Sequence, residues 1–350
     1  MTVSESTLPA DAGDDVSRIL TETASRLFAE ACPPARVRQA DADPAVAASL
    51  WAQCHELGLA QACATETAGG SALGWSAVRG LIEACGEHAV PVALPERLAA
   101  QLVARSAGLA LPDHPEITLA VGRREGADLL ADAVAGAQPG GLVLLGVDGQ
   151  VLLLPVAAAS QSPGANSAGE PRPDLRWAGA ASGLAQAPRA GTDPLLALAA
   201  IRVAQSAGAL RRVLALSVGY ANDRAQFGKP IGKFQAVQQQ LAVAAEWSAM
   251  AGMGSLLALA DDDCALDEDR VASARAVACT AAEEVSGIAH AVHGAIGVTI
   301  EYDLQLFTRR LKGWAAEAGS ARYWAGRLGA RVVAGAQPQV WDRVVALTRG

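Results

Sequence analysis

The 350-residue chain reads as mainly α with a small β domain, and three observations carry that reading. Apolar residues recur at helical spacing from about Val16 to Leu111. The pattern then changes to two short apolar runs split by Asp148 and Gly149, a β-hairpin signal. Long helical segments return from about Asp193 onward, enough for a four-helix bundle.

Residues 1–15, "MTVSESTLPADAGDD", are polar and acidic. They are expected to be disordered and lack the basic-then-apolar layout of a signal peptide. Residues 16–112 form an N-terminal helical domain. Its first segment, "VSRILTETASRLFAEA", sets Ile19, Leu20, Ala24, Leu27 and Phe28 near one face. A Gly-rich loop, a helix, a Pro-bounded link and another helix follow. Residues 113–190 form the small β domain around "LVLLGVDGQVLLLPV". Its far end, "ASQSPGANSAGEPRPD", is expected to be a mobile loop because it has too little apolar surface to bury, and Trp177 is read as part of that disorder-like end. Residues 191–350 supply the bundle: Leu195 to Asn222, Lys233 to Ala260, Asp267 to Val292 and a last region from about Tyr302. "FGKPIGK", "DDDCALDED" and "HGAIGV" separate them with turn and capping residues.

Composition narrows the function. Hydrophobic residues make up 51% of the chain but aromatics only 4%, so the core must use Ala, Leu and Val and pack its helices closely. A net charge of −8 without any basic stripe argues against nucleic acid. Glycine, aspartate and proline break the apolar runs of the β region before the roughly 20 residues a membrane span needs, so a cytoplasmic protein is expected. Six scattered cysteines offer no zinc spacing and read as small buried hydrophobes in a reducing compartment. His290 and His293 lie three apart, but no Glu-x-x-His pair completes a bundle metal site. No Gly-x-Ser-x-Gly elbow is present.

The most informative stretch is "YANDRAQFGKPIGKFQAVQQQLA", residues 220–242. Arg224 ends one helix, Phe227 precedes a tight turn, and Phe234 and Gln235 open the next helix. A guanidinium can grip phosphate with two parallel hydrogen bonds, an amide can bind a sugar or base edge, and an aromatic ring can pack on a flat ring. On residue type alone, Arg224 could equally complement a helix dipole and the phenylalanines could be core.

With its order of helical domain, β domain and bundle, and with a second motif "HAVHGAIGVTIEYDLQLFTRRLKGW", the chain resembles the acyl-CoA dehydrogenase family. That resemblance implies FAD as cofactor, an acyl-CoA substrate and electron-transfer flavoprotein as electron acceptor. It implies that Arg224, Phe227 and Gln235 reach FAD held mainly by a neighbouring subunit. It further implies that the turn at His293, Gly294 and Gly297 approaches the same cofactor and that Ser320 lies near its adenine side.

The chain departs from the family pattern where chemistry is expected. No Thr-Glu-Pro segment is recognisable in the β domain, and Ala291 replaces a glutamine that often opens the glycine motif. The slot of the catalytic glutamate falls on Ala318, with Glu317 one residue earlier. One residue on a helix rotates a side chain by about 100°. The alternative base position on the first bundle helix falls near Leu198 or Ala204, and neither accepts a proton. The combination resembles the short bacterial members that work as unlike pairs, often α2β2. A self-sufficient homo-oligomer using Glu317 and a catalytically silent partner subunit are the alternatives.

Overall fold

The computed structural model describes residues 10–40, 43–179, 183–188, 191–335 and 340–348. Five helices come first: α1 (Ala10–Ala31), α2 (Pro34–Ala40), α3 (Pro44–Glu56), α4 (Trp75–Glu87) and α5 (Leu94–Ser106). Prolines 34, 44 and 95 stand at the first positions of α2, α3 and α5, where a missing N–H costs nothing. Asp43 caps α3 by accepting from the Ala45 N–H at 2.9 Å. The disorder expected for residues 1–15 is corrected in part, because α1 already begins at Ala10; residues 1–9 lie outside the described residues. Extending a formed helix by a turn costs far less than nucleating one, so polar residues suffice there.

The sheet has seven strands: β1 (Ile117–Glu125), β2 (Asp128–Ala131), β3 (Leu142–Val147), β4 (Gln150–Pro155), β5 (Ser160–Ser162), β6 (Asp174–Trp177) and β7 (Ala185–Pro188). Their order is β5-β6-β2-β1-β3-β4-β7, with only β1 and β3 parallel. β3 and β4 form the expected hairpin, Val147 paired with Gln150 across Asp148 and Gly149, both at positive φ.

The stretch expected to be a mobile loop is instead pinned. Asn166, Glu170 and Arg172 reach across to the bundle by hydrogen bonds and ion pairs, so polar contacts replace the apolar burial that the composition lacks. Trp177, also assigned to a poorly ordered end, lies in β6, fully buried, and donates its indole N–H to the Pro155 carbonyl at 2.9 Å.

The bundle contains α6 (Pro194–Asp223), α7 (Gln235–Ala258) and α8 (Glu268–His293). A two-strand hairpin, β8 (Ala225–Gln226) with β9 (Lys229–Pro230), joins α6 to α7. The last bundle region is divided into α9 (Leu304–Ala316) and α10 (Ala321–Ala334), followed by α11 (Val340–Thr348). As composition demands, α6 is alanine-rich on its buried faces and crosses α4 closely: a Cβ on Gly208 would come within 1.9 Å of the Glu83 carbonyl oxygen. Among the described residues, α7 is by length and composition apolar enough to cross a membrane, yet one side of it packs in the bundle. Its other side exposes Val243, Met250, Met253 and Leu256.

Candidate functional site

The break between α9 and α10 positions Glu317. Its N–H closes α9 by donating to the carbonyls of Gly313 and Trp314 at 3.2 and 3.3 Å. Ala318 and Gly319 then turn the chain at φ +51° and +91°, and the Ser320 hydroxyl restarts helix by accepting from the Tyr323 N–H at 3.3 Å. Only glycine fits at position 319, where a Cβ would stand 2.6 Å from the Trp324 indole nitrogen.

This turn directs the Glu317 side chain inward, leaving it 18% exposed. Oε1 accepts from Arg172 Nε and Asn166 Nδ2, both at 3.0 Å. Oε2 accepts from Arg202 Nε at 2.8 Å and Nη2 at 2.7 Å, a forked grip from α6. Arg202 also holds Gln205 and, at 2.6 Å, Glu96 of α5. On the sheet side Glu170 pairs with Arg172 at 3.1 Å and Arg310 at 3.2 Å, and accepts from Asn166 at 2.7 Å and the Trp314 indole at 3.3 Å. The cluster thus balances Glu96, Glu170 and Glu317 against Arg172, Arg202 and Arg310, joining all three domains in one buried network. Arg275 of α8, fully buried, adds donations to the backbone carbonyls of Trp314 and, at 2.6 Å, Glu317.

The electrostatics follow from this packing. Burial alone pushes the Glu317 carboxyl up, but Arg202, Arg172 and the Asn166 hydrogen bond outweigh it and hold the group at about 2. Glu170 is lowered in the same way, Arg310 and Arg172 prevailing over burial. For Arg202, burial is overcome by Glu317 and Glu96, which favour the cation. Arg275, lacking a carboxylate, is lowered chiefly by burial. A general base works best with a pKa near the working pH and an open path to the proton it takes. Glu317 has the opposite character here: strongly ionised, with both oxygens engaged.

The remaining predicted residues gather at another end of the bundle. Arg224 follows the last residue of α6, and its guanidinium is exposed with no partner among the described residues. Phe227 sits at the tip of the β8–β9 hairpin at φ +52°, 91% exposed, its ring 6.2 Å from that of Phe234. Lys229 lies over the Phe234 ring at 4.4 Å, and Gln235 opens α7 on the exposed side. His293 belongs to the same end, because Tyr220 in the last turn of α6 stacks on it at 4.5 Å. Its two ring nitrogens are taken internally, by the Ala289 carbonyl at 2.7 Å and the Tyr302 hydroxyl at 3.2 Å. Gly294, at φ +65°, stops α8, and Gly297 is buried in the short turn that follows. Glu317 stands apart, across the length of α9, about 20 Å at 1.5 Å per residue.

The other expectations are quickly placed. Glu246, Glu283 and Glu284, the other bundle carboxylates, are exposed on its surface. Burial pushes the Cys32 and Cys54 thiols up to about 12, leaving no thiolate for chemistry near neutral pH. Among the described residues no group of His, Cys, Asp and Glu could hold a metal ion. Arg172, Arg202, Glu96 and Glu170 were not anticipated. The available signal was a lone charge in an apolar helix, as in "LLALAAIRVAQSAGAL", because a buried charge demands a partner.

Comparison with known proteins agrees with this architecture. The family model "Acyl-CoA dehydrogenase, C-terminal domain" matches residues 195–333, from α6 through most of α10. Acyl-CoA dehydrogenase IpdE2 of Mycolicibacterium smegmatis is 30% identical over 328 residues, covering 90% of this chain and 98% of that protein. A chain of the ChsE4-ChsE5 complex from Mycobacterium tuberculosis superposes with a TM-score of 0.74 at 22% identity, covering 96% of this chain and all of that one. PigA, in a structure with FAD and proline, gives a TM-score of 0.74 at 15% identity, covering 94% of this chain and 99% of that one. The chain belongs to the acyl-CoA dehydrogenase family.

Proposed function

We propose that the chain is one subunit of an FAD-dependent acyl-CoA dehydrogenase that oxidises the α,β bond of an acyl-CoA thioester and completes its active site with an unlike partner subunit. The observation that carries this is the engagement of Glu317 by Arg172 and Arg202. The carboxylate beside the family's base position serves as the centre of a buried ionic network, so the proton-abstracting group comes from the partner. The space around Glu317 is occupied by the chain's own Arg172, Glu170 and Asn166.

What this chain offers the reaction lies at its other end. Arg224 and Phe227 are exposed and unengaged by other domains, and a cation beside a bare aromatic ring is the donor set that suits a diphosphate joined to a flat ring. Those residues fit the pyrophosphate and adenine portion of FAD held on a neighbouring subunit. FAD, when bound, supplies the hydride acceptor. Gln235 is a further polar group exposed there, whereas the His293 ring holds the bundle end together; Ser320, expected near the same cofactor, instead lies three residues from Glu317 at the far end of α9, its hydroxyl capping α10. Two structures of the same fold support the pairing and the cofactor: ChsE4-ChsE5 is a complex of unlike chains, and PigA was solved with FAD. Electron-transfer flavoprotein as acceptor and a cytoplasmic location belong to the same proposal.

Co-expression with a candidate acyl-CoA dehydrogenase-like partner subunit from the same source tests the reading. Flavin absorbance and acyl-CoA-dependent dye reduction should appear in the mixture and be absent from this chain alone. Bound flavin with full turnover in the isolated chain would overturn the proposal in favour of a homo-oligomer.

A further inference from the structure

A cavity of about 290 Å³ lies away from Glu317 and from the Arg224 hairpin, between α1, α2, the end of α4, α6 and α9. That volume approaches the lower end of ordinary small-molecule sites. Its walls are largely apolar, with Pro33 and Val37 on one side and Leu306 and Phe307 on the other. Three polar groups line it: Glu87, His88 and Arg212.

Their charges do not cancel. Arg211, the neighbour of Arg212, takes both nearby carboxylates, Glu83 at 2.8 Å and Glu87 at 3.2 Å. Arg212 has no carboxylate partner among the described residues and is half-buried. The His88 ring nitrogens have no hydrogen-bond partner there either; its ring packs 6.4 Å from Phe28. Burial lowers the His88 pKa, and Arg212 adds to that against the opposing pull of Glu87, so a neutral imidazole can offer one N–H beside the guanidinium. An apolar recess with one uncompensated cation and a free donor suits a molecule with an apolar body and a single negative head.

We propose that this cavity binds an organic carboxylate with a short aliphatic or alicyclic body, its head at Arg212 and His88 and its body against Leu306, Phe307 and Val37. The site does not depend on the proposed dehydrogenase role, because Phe307 and Glu317 sit about 15 Å apart along α9.

Calorimetric titration of the full chain with sodium octanoate at millimolar concentration tests the proposal. Saturable binding is expected for octanoate, with octanol weaker because it lacks the charge, acetate weaker because it lacks the body, and octylammonium not bound. Arg212→Gln should weaken octanoate at least tenfold and leave octanol unchanged. Ala29→Trp, an exposed position at the cavity edge, should block both ligands. Both variants should keep the parent's thermal midpoint. Absence of saturable octanoate binding, equal binding of octanoate and octylammonium, or an unchanged affinity in folded Arg212→Gln would overturn the proposal.

Discussion

Replacing Glu317 by glutamine separates a network residue from a base. The amide keeps the shape but removes the charge, leaving Arg172 and Arg202 beside a neutral group that accepts with one atom instead of two. The drop from an ordinary 4.5 to about 2 measures how strongly the fold prefers the ionised form. At about 1.4 kcal/mol per pH unit, that preference is worth about 3 kcal/mol, close to the 3–5 kcal/mol typical of breaking a buried pair from one side. Urea denaturation of the isolated chain at neutral pH should show the variant less stable by about 3 kcal/mol. The co-expressed complex, assayed at a temperature where the variant stays folded, should keep its turnover within a few-fold.

The same coupling fixes the pH dependence. The Glu317 pKa is depressed in the folded state, so the unfolded chain binds the proton more readily between about 4.5 and 2. The stabilisation is complete above that window and is lost as pH falls through it. Acid titration of unfolding should therefore be shallower in Glu317→Gln than in the parent. A variant with parent-like stability and no turnover would refute the reasoning and return Glu317 to the role of base.

Other outcomes follow from the surface and the packing. Arg224→Ala should lower flavin occupancy of the co-expressed complex, read as the ratio of flavin to protein absorbance, while the isolated chain keeps its parent thermal midpoint. Gly208→Val should destabilise the isolated chain by 3 kcal/mol or more, on the order of a severe overpacking defect, because its Cβ would collide with the Glu83 carbonyl; a denaturation curve unchanged from the parent would contradict the close α4–α6 crossing. Met253→Asp, on the exposed side of α7, should shift co-purified complexes toward smaller species in sedimentation, with the isolated chain's stability little changed.

Much of the fold is legible in the sequence because the signals are local. Asp148–Gly149 between apolar runs dictates a hairpin from two residues, and Pro194 after Asp193 marks the start of α6. The arm is equally readable, since Arg224, Phe227 and Gln235 lie within twelve residues of one another around one turn. The ionic network is not, because its partners are far apart in the chain: Glu96, Arg172, Arg202 and Glu317 come from α5, a sheet loop, α6 and the end of α9. The loop "PGANSAGEPRP" misleads for the same reason. Its composition reports a lack of apolar burial, while Glu170 and Arg172 find distant opposite charges that no local pattern reveals.

The division of polar groups between interior and surface argues for a subunit that works through its neighbours. A self-contained dehydrogenase needs a carboxylate free to move a proton, and here Glu317 has both oxygens committed to arginines of its own chain. Uncommitted groups suited to a cofactor stand at the outer edge, on a hairpin whose Phe227 ring is almost bare of contacts. Beyond that hairpin runs α7, whose outer side carries Val243, Met250, Met253 and Leu256 where an isolated protein would place charge. Stability is served inward by the locked Glu317, and the exposed Arg224–Phe227 arm is left outward, the arrangement that the proposed subunit completing a neighbour's site would need.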